Sequence, residues 1–357
     1  MPTFRPETLL QIGQEIFSAI GCCAADARTV AEHLVESSLF GHDSHGVIRL
    51  YEYVRFVQDG VWDPRGVPQV VEERLCTAVV DGGGAMGQVG AAFAARVAMD
   101  KAREHGTGTV TLRHCCHVGR CGAYPLMIAR EGLIGLMFVN AGRLGRQITP
   151  YGGLDGKLST NPIAFAAPRR RAEPIMVDMA TSMSAEGKIR VASNKGEALP
   201  EGFIIDHQGN ASTDPEAFIG DPPGAILPLG GAAAHKGYCL SMVVELLGGA
   251  LGGEGCANGA QTMASNGVLL TVYHIEHFTD LERFYDEVEI LVDHVHSSRI
   301  DPRIGEILLP GEPEFRSAEC RRQEGLPVDE TTWSRICDAA RTLDLDPDAW
   351  QEMAIPA

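Results

Sequence analysis

Apolar positions in the first 60 residues recur at helical spacing. ETLLQIGQEIFSAIG sets Leu9, Ile12, Ile16 and Ile20 on one face, and Val30, Leu34 and Val35 mark a second helix that Asp26 can cap. GHDSHG interrupts the pattern. Ser44 is then placed to cap a third helix, HGVIRLYEYVRFV, with Leu50, Val54 and Val57 apolar. From Leu75 the period shortens: LCTAVVD, TVTLR, IGLMFVN, NPIAFAAP and PIMVDMA read as strands. An Ala-rich helix over Gln88–Glu104 and a short one over Tyr124–Arg130 separate the first three. Residues 199–230 are rich in Pro and Gly and read as an excursion of loops. GYCLSMVVELLGGALGG is apolar almost throughout, which predicts a helix buried on most sides. Leu281, Phe284, Val288, Leu291 and Val295 mark another helix, and Trp333, Ile336 and Ala340 a last one. Strands interspersed with helices predict an α/β or α+β core.

Composition narrows the classes. The chain has 357 residues, room for about two domains. Its 30 basic and 47 acidic side chains give a net charge of −17. That balance opposes duplex nucleic acid and anionic membrane surfaces, both of which need clustered Lys and Arg. It leaves small anionic substrates open, because one local Arg overrides a distant field. No apolar run reaches the roughly 18 residues of a membrane span, and the N-terminus does not read as a signal peptide. The ten cysteines follow no framework spacing, so reduced thiols and a cytoplasmic location are expected.

Several clusters carry candidate chemistry. Gly82, Gly84 and Gly87 fit G-x-G-x-x-G between a strand and a helix, the context of a phosphate-cradling turn. The acidic residue that would read a ribose is missing at the end of the next strand, which closes on Arg113. His114, Cys115, Cys116, His117 and Cys121 bring soft and imidazole ligands close together, yet adjacent strand residues face opposite sides and no second ligand pair follows. In Asp43-Ser44-His45-Gly46-x-x-Arg49, capping by Ser44 would put His45 and Arg49 on one helix face that Tyr53 continues. An imidazole, a guanidinium and a phenol there suit a carboxylate ligand; the plain alternative is a solvated helix start. Ser159-Thr160-Asn161-Pro162, Val177-Asp178-Met179-Ala180-Thr181-Ser182 with Gly187-Lys188, and His235-Lys236-Gly237 serve equally as turns or as polar contacts for a cofactor.

Together and in this order, these stretches resemble the malate/L-lactate dehydrogenase family, which also holds sulfolactate, ureidoglycolate and diketogulonate enzymes. GHDSHGVIRLYEYV, DGGGAMGQVGAAFAA, HCCHVGRCGAYPLMIAREGLIG, LSTNPIAFAAP, VDMATSMSAEGKI, LPLGGAAAHKGYCLSMVVELLGGAL and LPGEPEF carry the likeness, from about residue 40 to 315. The resemblance implies a non-Rossmann α/β fold: a large, mostly antiparallel or mixed sheet holds the cofactor, and both chain ends build a helical domain. The boundaries would be 1–75 completed by 280–357, with 76–279 as the sheet domain. It further implies a homodimer and demotes the glycine motif to a turn feeding a helix.

By the same resemblance His117, His45 and Ser44 are the catalytic candidates. Arg49, Tyr53, Thr160 and Asn161 would surround the substrate. Asn140, Asp178, Met179, Ala180, Lys188, His235, Lys236, Gly311 and Glu312 would contact NAD or NADP, and no metal is expected. Cys115 and Cys116 stand where relatives usually carry Ser or Asn, a departure that could change the site's polarity or make it sensitive to oxidation. The reaction implied is reversible hydride transfer between the cofactor and a 2-oxo or 2-hydroxy acid, with His117 as acid/base, His45 orienting it and Arg49 holding the carboxylate. Two other readings compete: a zinc hydrolase built on His114, Cys116, His117 and Cys121, and a non-catalytic binder of anionic metabolites.

Overall fold

A computed structural model describes residues 1–260 and 265–355. After a short strand β1 (Thr3–Phe4), helices form where the apolar period predicts. α1 (Pro6–Ala19) buries Leu9, Ile12 and Ile16, and α2 (Ala24–Leu39) buries Val30, Leu34 and Val35. Asp26 does not cap α2. Cys23 holds the N-cap without a side-chain bond, and Asp26 lies in the first turn, where its charge suits the helix dipole. Nor does Ser44 cap the third helix. Asp43–His45 is a separate 3-10 turn, and α3 (Arg49–Gln58) starts from Ile48. The turn is anchored from outside by Arg321, which reaches the Asp43 carboxylate at 2.5 and 3.1 Å.

The middle of the chain builds the sheet. In chain order come β2 (Gln69–Arg74), β3 (Thr77–Asp81), α4 (Gly87–His105), β4 (Thr107–Arg113), α5 (Ala123–Arg130), β5 (Ile134–Asn140), β6 (Ile163–Ala167) and β7 (Ile175–Met179). α6 (Glu186–Lys195) follows. The loop-rich stretch then forms a small antiparallel sheet of β8 (Ile204–Ile205), β9 (Ala211–Ser212) and β10 (Ala225–Ile226), with a one-turn α7 (Glu216–Ile219). α8 (Ala234–Val244) runs into a π-helical segment, Glu245–Leu251, and β11 (Gly267–Tyr273) returns to the main sheet. Among the described residues that sheet has the order β2-β3-β4-β11-β5-β6-β7. Only β3 and β4 pair in parallel, across the α4 crossover; the other pairs are antiparallel. The sheet is therefore mixed, in a mixed α/β fold.

The chain closes with α9 (Leu281–His296), α10 (Glu312–Glu324), β12 (Leu326–Pro327), α11 (Glu330–Arg341) and α12 (Pro347–Gln351). β12 pairs with β1, tying the two chain ends together. One apolar cluster joins α1, α2 and α3 to α10 and α11; a second fills the space between α4, α5 and the main sheet. α9 buries only Val292, and Arg169 and Arg170 tie it to the β6–β7 connection through Glu289 and Asp286. The expectation that α8 is buried on most sides does not hold. Leu240, Val243, Leu246 and Leu251 are 37%, 41%, 56% and 62% exposed along α8 and its π extension.

Candidate active site

The two imidazoles singled out in the sequence meet where the clusters join. The rings of His45 and His117 stack with centroids 5.4 Å apart and planes inclined by 26°. His45 comes from the 3-10 turn; His117 comes from the loop that leaves β4. That loop begins at His114, whose backbone is left-handed (φ 51°) and ends the strand. The Ser44 hydroxyl lies 3.1 Å from His45 Nδ1, a contact either partner can donate. Tyr53, one turn into α3, sets its hydroxyl 2.9 Å from His117 Nδ1, and Gln88 Nε2 donates to that hydroxyl at 3.0 Å. Arg49 folds back to donate from Nε to the Ser44 carbonyl at 2.7 Å and pairs with Glu52. His45 and Arg49 thus converge through a folded-back guanidinium and not through one continuous helix face. A guanidinium has five N–H donors, more than these two contacts use.

This environment disfavours imidazolium. Burial, then the Arg49 charge, pulls His45 down to about 3, with His42, Arg120 and Lys188 adding to the effect. Burial and Arg49 likewise hold His117 well below the usual histidine range. Both rings rest neutral at pH 7.

The glycine motif serves this site and faces the protein's own backbone. A Cβ on Gly82 would lie 2.7 Å from the His114 carbonyl oxygen, and one on Gly87 only 2.2 Å from that of His117. The turn presses the start of α4 against the histidine loop, and only glycine allows that approach.

The metal cluster considered in the sequence does not assemble. His114 is exposed and pairs with Asp81 at 3.0 Å. Cys115 donates to the Asn266 carbonyl and Cys116 to that of Gly84, each at 3.3 Å, while Cys121 points toward the Gly119 carbonyl. Among the described residues no three His, Cys, Asp or Glu side chains gather in a geometry that could hold a metal. Burial raises all three thiols above the usual range, so none is a ready thiolate and the expected oxidation sensitivity loses its basis.

Most of the remaining candidates fall into two neighbourhoods. Asn161 has a left-handed backbone (φ 41°), and its Nδ2 donates to Ser241 Oγ and Glu245 Oε1, both at 2.9 Å. Asn140 Nδ2 donates to the other Glu245 oxygen at 3.1 Å. Thr160 gives its carbonyl to the Thr181 N–H at 2.9 Å. Asp178 turns inward: its carboxylate accepts the Gly122 N–H at 2.9 Å and lies 3.9 Å from buried Arg120. Met179 is exposed and Ala180 half-buried at the end of β7. The Gly311 turn packs on that strand, with the Met176 N–H donating to the Pro310 carbonyl at 3.0 Å, and Glu312 closes its own loop onto the Leu309 N–H at 2.9 Å. Lys188 is exposed on α6. His235 and Lys236 are exposed at the start of α8, with the His235 ring 5.7 Å from Tyr151.

Sequence reasoning missed Gln88, Arg120 and Glu245. A signal existed for one: Glu245 is a lone carboxylate inside an otherwise apolar helix, and it proves buried at the first residue of the π segment, a geometry frequent at functional sites. Arg120 is also buried, pairing with Glu36 at 2.8 Å and lying over the Phe40 ring at 4.6 Å.

Comparisons with known proteins agree on one class. The family model for malate/L-lactate dehydrogenase matches residues 4–337. A malate dehydrogenase of Pyrococcus horikoshii is 34% identical over 93% of this chain and 92% of its own length. An L-lactate dehydrogenase of Cupriavidus necator is 35% identical over 94% of this chain and 96% of its own. The solved sulfolactate dehydrogenase of Methanocaldococcus jannaschii superposes with a TM-score of 0.86 at 31% identity, covering 97% of this chain and 99% of that one. The chain is an oxidoreductase of dehydrogenase type. It belongs to the malate/L-lactate dehydrogenase family.

Proposed function

We propose that this enzyme transfers hydride reversibly between NAD or NADP and the carbonyl carbon of a small 2-oxo acid, giving the 2-hydroxy acid. The supporting observation is that Arg49 and His45, neighbours along the chain, meet His117 from a distant loop. Arg49 binds the substrate carboxylate through paired charge-assisted bonds. The imidazole pair handles the proton that the carbonyl oxygen gains on reduction and loses on oxidation, a contribution of roughly 10²–10⁴-fold. Ser44 and Tyr53 hold the two rings, and Thr160 and Asn161 border the substrate.

The chain also carries features that fit a nicotinamide cofactor. Asn161 Oδ1 and Ser159 Oγ are buried without a partner on the loop leading into β6, an acceptor and a hydroxyl suited to a carboxamide. When bound, the cofactor supplies or accepts the hydride. Asn140, Asp178, Met179, Ala180, Lys188, His235, Lys236, Gly311 and Glu312 form the proposed cofactor surface, with Asp178 acting through the backbone it anchors. Cofactor binding outside a Rossmann frame is supported by the glycine turn, which is closed against the His117 loop. Two domains, 1–75 with 280–357 and 76–279, meet at the site in this reading, supported by the pairing of β1 with β12 and by the apolar contacts of α1, α2 and α3 with α10 and α11. The enzyme acts as a cytoplasmic homodimer, the exposed apolar face of α8 meeting a second copy.

Loss of NADH or NADPH absorbance with a panel of 2-oxo acids tests the reading. Turnover of pyruvate, oxaloacetate or a sulfonated analogue is expected with at least one cofactor; none with either refutes it.

A further inference from the structure

Resting on the hydride-transfer reading, we propose that Gln88 is a positioning residue that fixes the tautomer of His117 through the Tyr53 hydroxyl. Gln88 is buried at the second residue of α4, directly after the glycine turn. Its amide nitrogen lies 3.0 Å from the Tyr53 oxygen, which lies 2.9 Å from His117 Nδ1. An amide nitrogen only donates. With Gln88 placed so that Nε2 faces Tyr53 and Oε1 has no hydrogen-bond partner, the Tyr53 oxygen accepts from Gln88, and its single proton points at Nδ1. Nδ1 must be the bare nitrogen, so neutral His117 carries its hydrogen on Nε2. Nε2–H, on the far edge of the ring from Tyr53, becomes a donor of fixed polarity for a carbonyl oxygen.

The same chain opposes protonation of His117. An imidazolium would put a second donor on the Tyr53 oxygen and leave the phenol proton without an acceptor. Burial keeps the Tyr53 phenol protonated, so it does not relieve that conflict by ionising. Packing holds each member in place. The Tyr53 ring sits 4.7 Å from Trp62 and 6.3 Å from Phe17, centroid to centroid. A Cβ on Gly119 would approach Gln88 Nε2 to 3.0 Å, and one on Gly87 would strike the His117 carbonyl. The glycine motif thus delivers Gln88 beside the histidine loop.

The test is long-range proton–nitrogen correlation NMR on the full-length protein labelled with 15N-histidine. In the parent, His117 is expected as the neutral Nε2–H form from pH 6 to 8. Gln88→Glu replaces the donor by an acceptor for the Tyr53 proton. It should convert His117 to the Nδ1–H form and lower kcat by roughly 10²-fold, with KM for the cofactor unchanged. An Nδ1–H ring in the parent overturns the proposal, as does an unaltered His117 spectrum in the Glu variant. If Gln88→Glu does not fold, Tyr53→Phe is read instead: mixed tautomers support the relay, and a ring that stays wholly Nε2–H refutes it. Because the spectrum needs no turnover, an absence of 2-oxo acid reduction would refute the proposed function and leave this test intact.

Discussion

Arg49 depresses the basicity of both imidazoles, and that coupling runs in both directions. A substrate carboxylate bound at Arg49 cancels part of its field. The histidines then become more basic, and a site that rests neutral is readied for protonation by the ligand it binds. Binding of oxamate, a non-reducible 2-oxo acid analogue, is therefore expected to take up protons as pH falls below 5, toward the folded His45 value of about 3. Calorimetry in buffers of different ionisation enthalpy measures that uptake; uptake below a tenth of a proton would remove the coupling. Arg49→Lys keeps the charge and loses the planar fork. Losing one charge-assisted bond of about 1.5–3 kcal/mol should raise KM for the 2-oxo acid by roughly 10–100-fold. KM for the cofactor should stay within about twofold, and a reversed pattern would move Arg49 to the cofactor.

Elements were legible where one face is apolar and the other is not. α1 and α2 carry such stripes, and β4 and β5 lie between clear turn signals. β11 gave no comparable signal: GVLLTVY is buried on both faces at the centre of the sheet, so it shows a run without alternation. α10 buries a single residue, Ala318, and has no stripe to read. In the site, Ser44, His45, Arg49 and Tyr53 could be grouped because they are close along the chain, although the helix supposed to align them starts later. The contacts of Gln88 and Glu245 span 35 and 84 residues, and hydrogen bonds at such separation leave no periodic trace. Taken alone, the glycine motif is ambiguous for a physical reason: close backbone approach selects glycine whether the neighbour is a phosphate or the protein's own carbonyl. Gly87→Ala tests this directly. A methyl group 2.2 Å from the His117 carbonyl must displace the loop or the helix start. A stability loss of about 1–3 kcal/mol by urea unfolding is expected, together with weaker turnover; a variant equal to the parent in both would show that the approach is not needed.

At the scale of the molecule, pH acts through three buried histidines. His33, His45 and His117 all titrate below their unfolded value, burial being the first cause for each. His33 accepts the Arg120 N–H at 2.8 Å, a bond that protonation would break. A depressed histidine binds fewer protons folded than unfolded, so its contribution is complete above about pH 6.5 and falls as pH drops toward the folded value. Each contributes at most about 1.4 kcal/mol per pH unit in that window. Stability by urea unfolding should fall from pH 7 to pH 5, where most carboxylates remain ionised, and His33→Asn should flatten the slope; an unchanged slope would show that His33 is not among the titrating groups. The exposed apolar row of Leu240, Val243, Leu246 and Leu251 is hard to reconcile with a lone chain, because a helix that is apolar all round is stable only when covered. The net charge of −17 repels a second copy at long range, so apolar burial must supply the attraction and added salt should strengthen association. Light scattering should give twice 38.3 kDa for the parent. Leu246→Glu puts a carboxylate into the covered face and should yield monomers. It should also cost activity, since Leu246 adjoins Glu245, which holds the Asn140 and Asn161 side chains. A monomeric parent with full activity would remove the second copy from the account, and the apolar row would then need another cover.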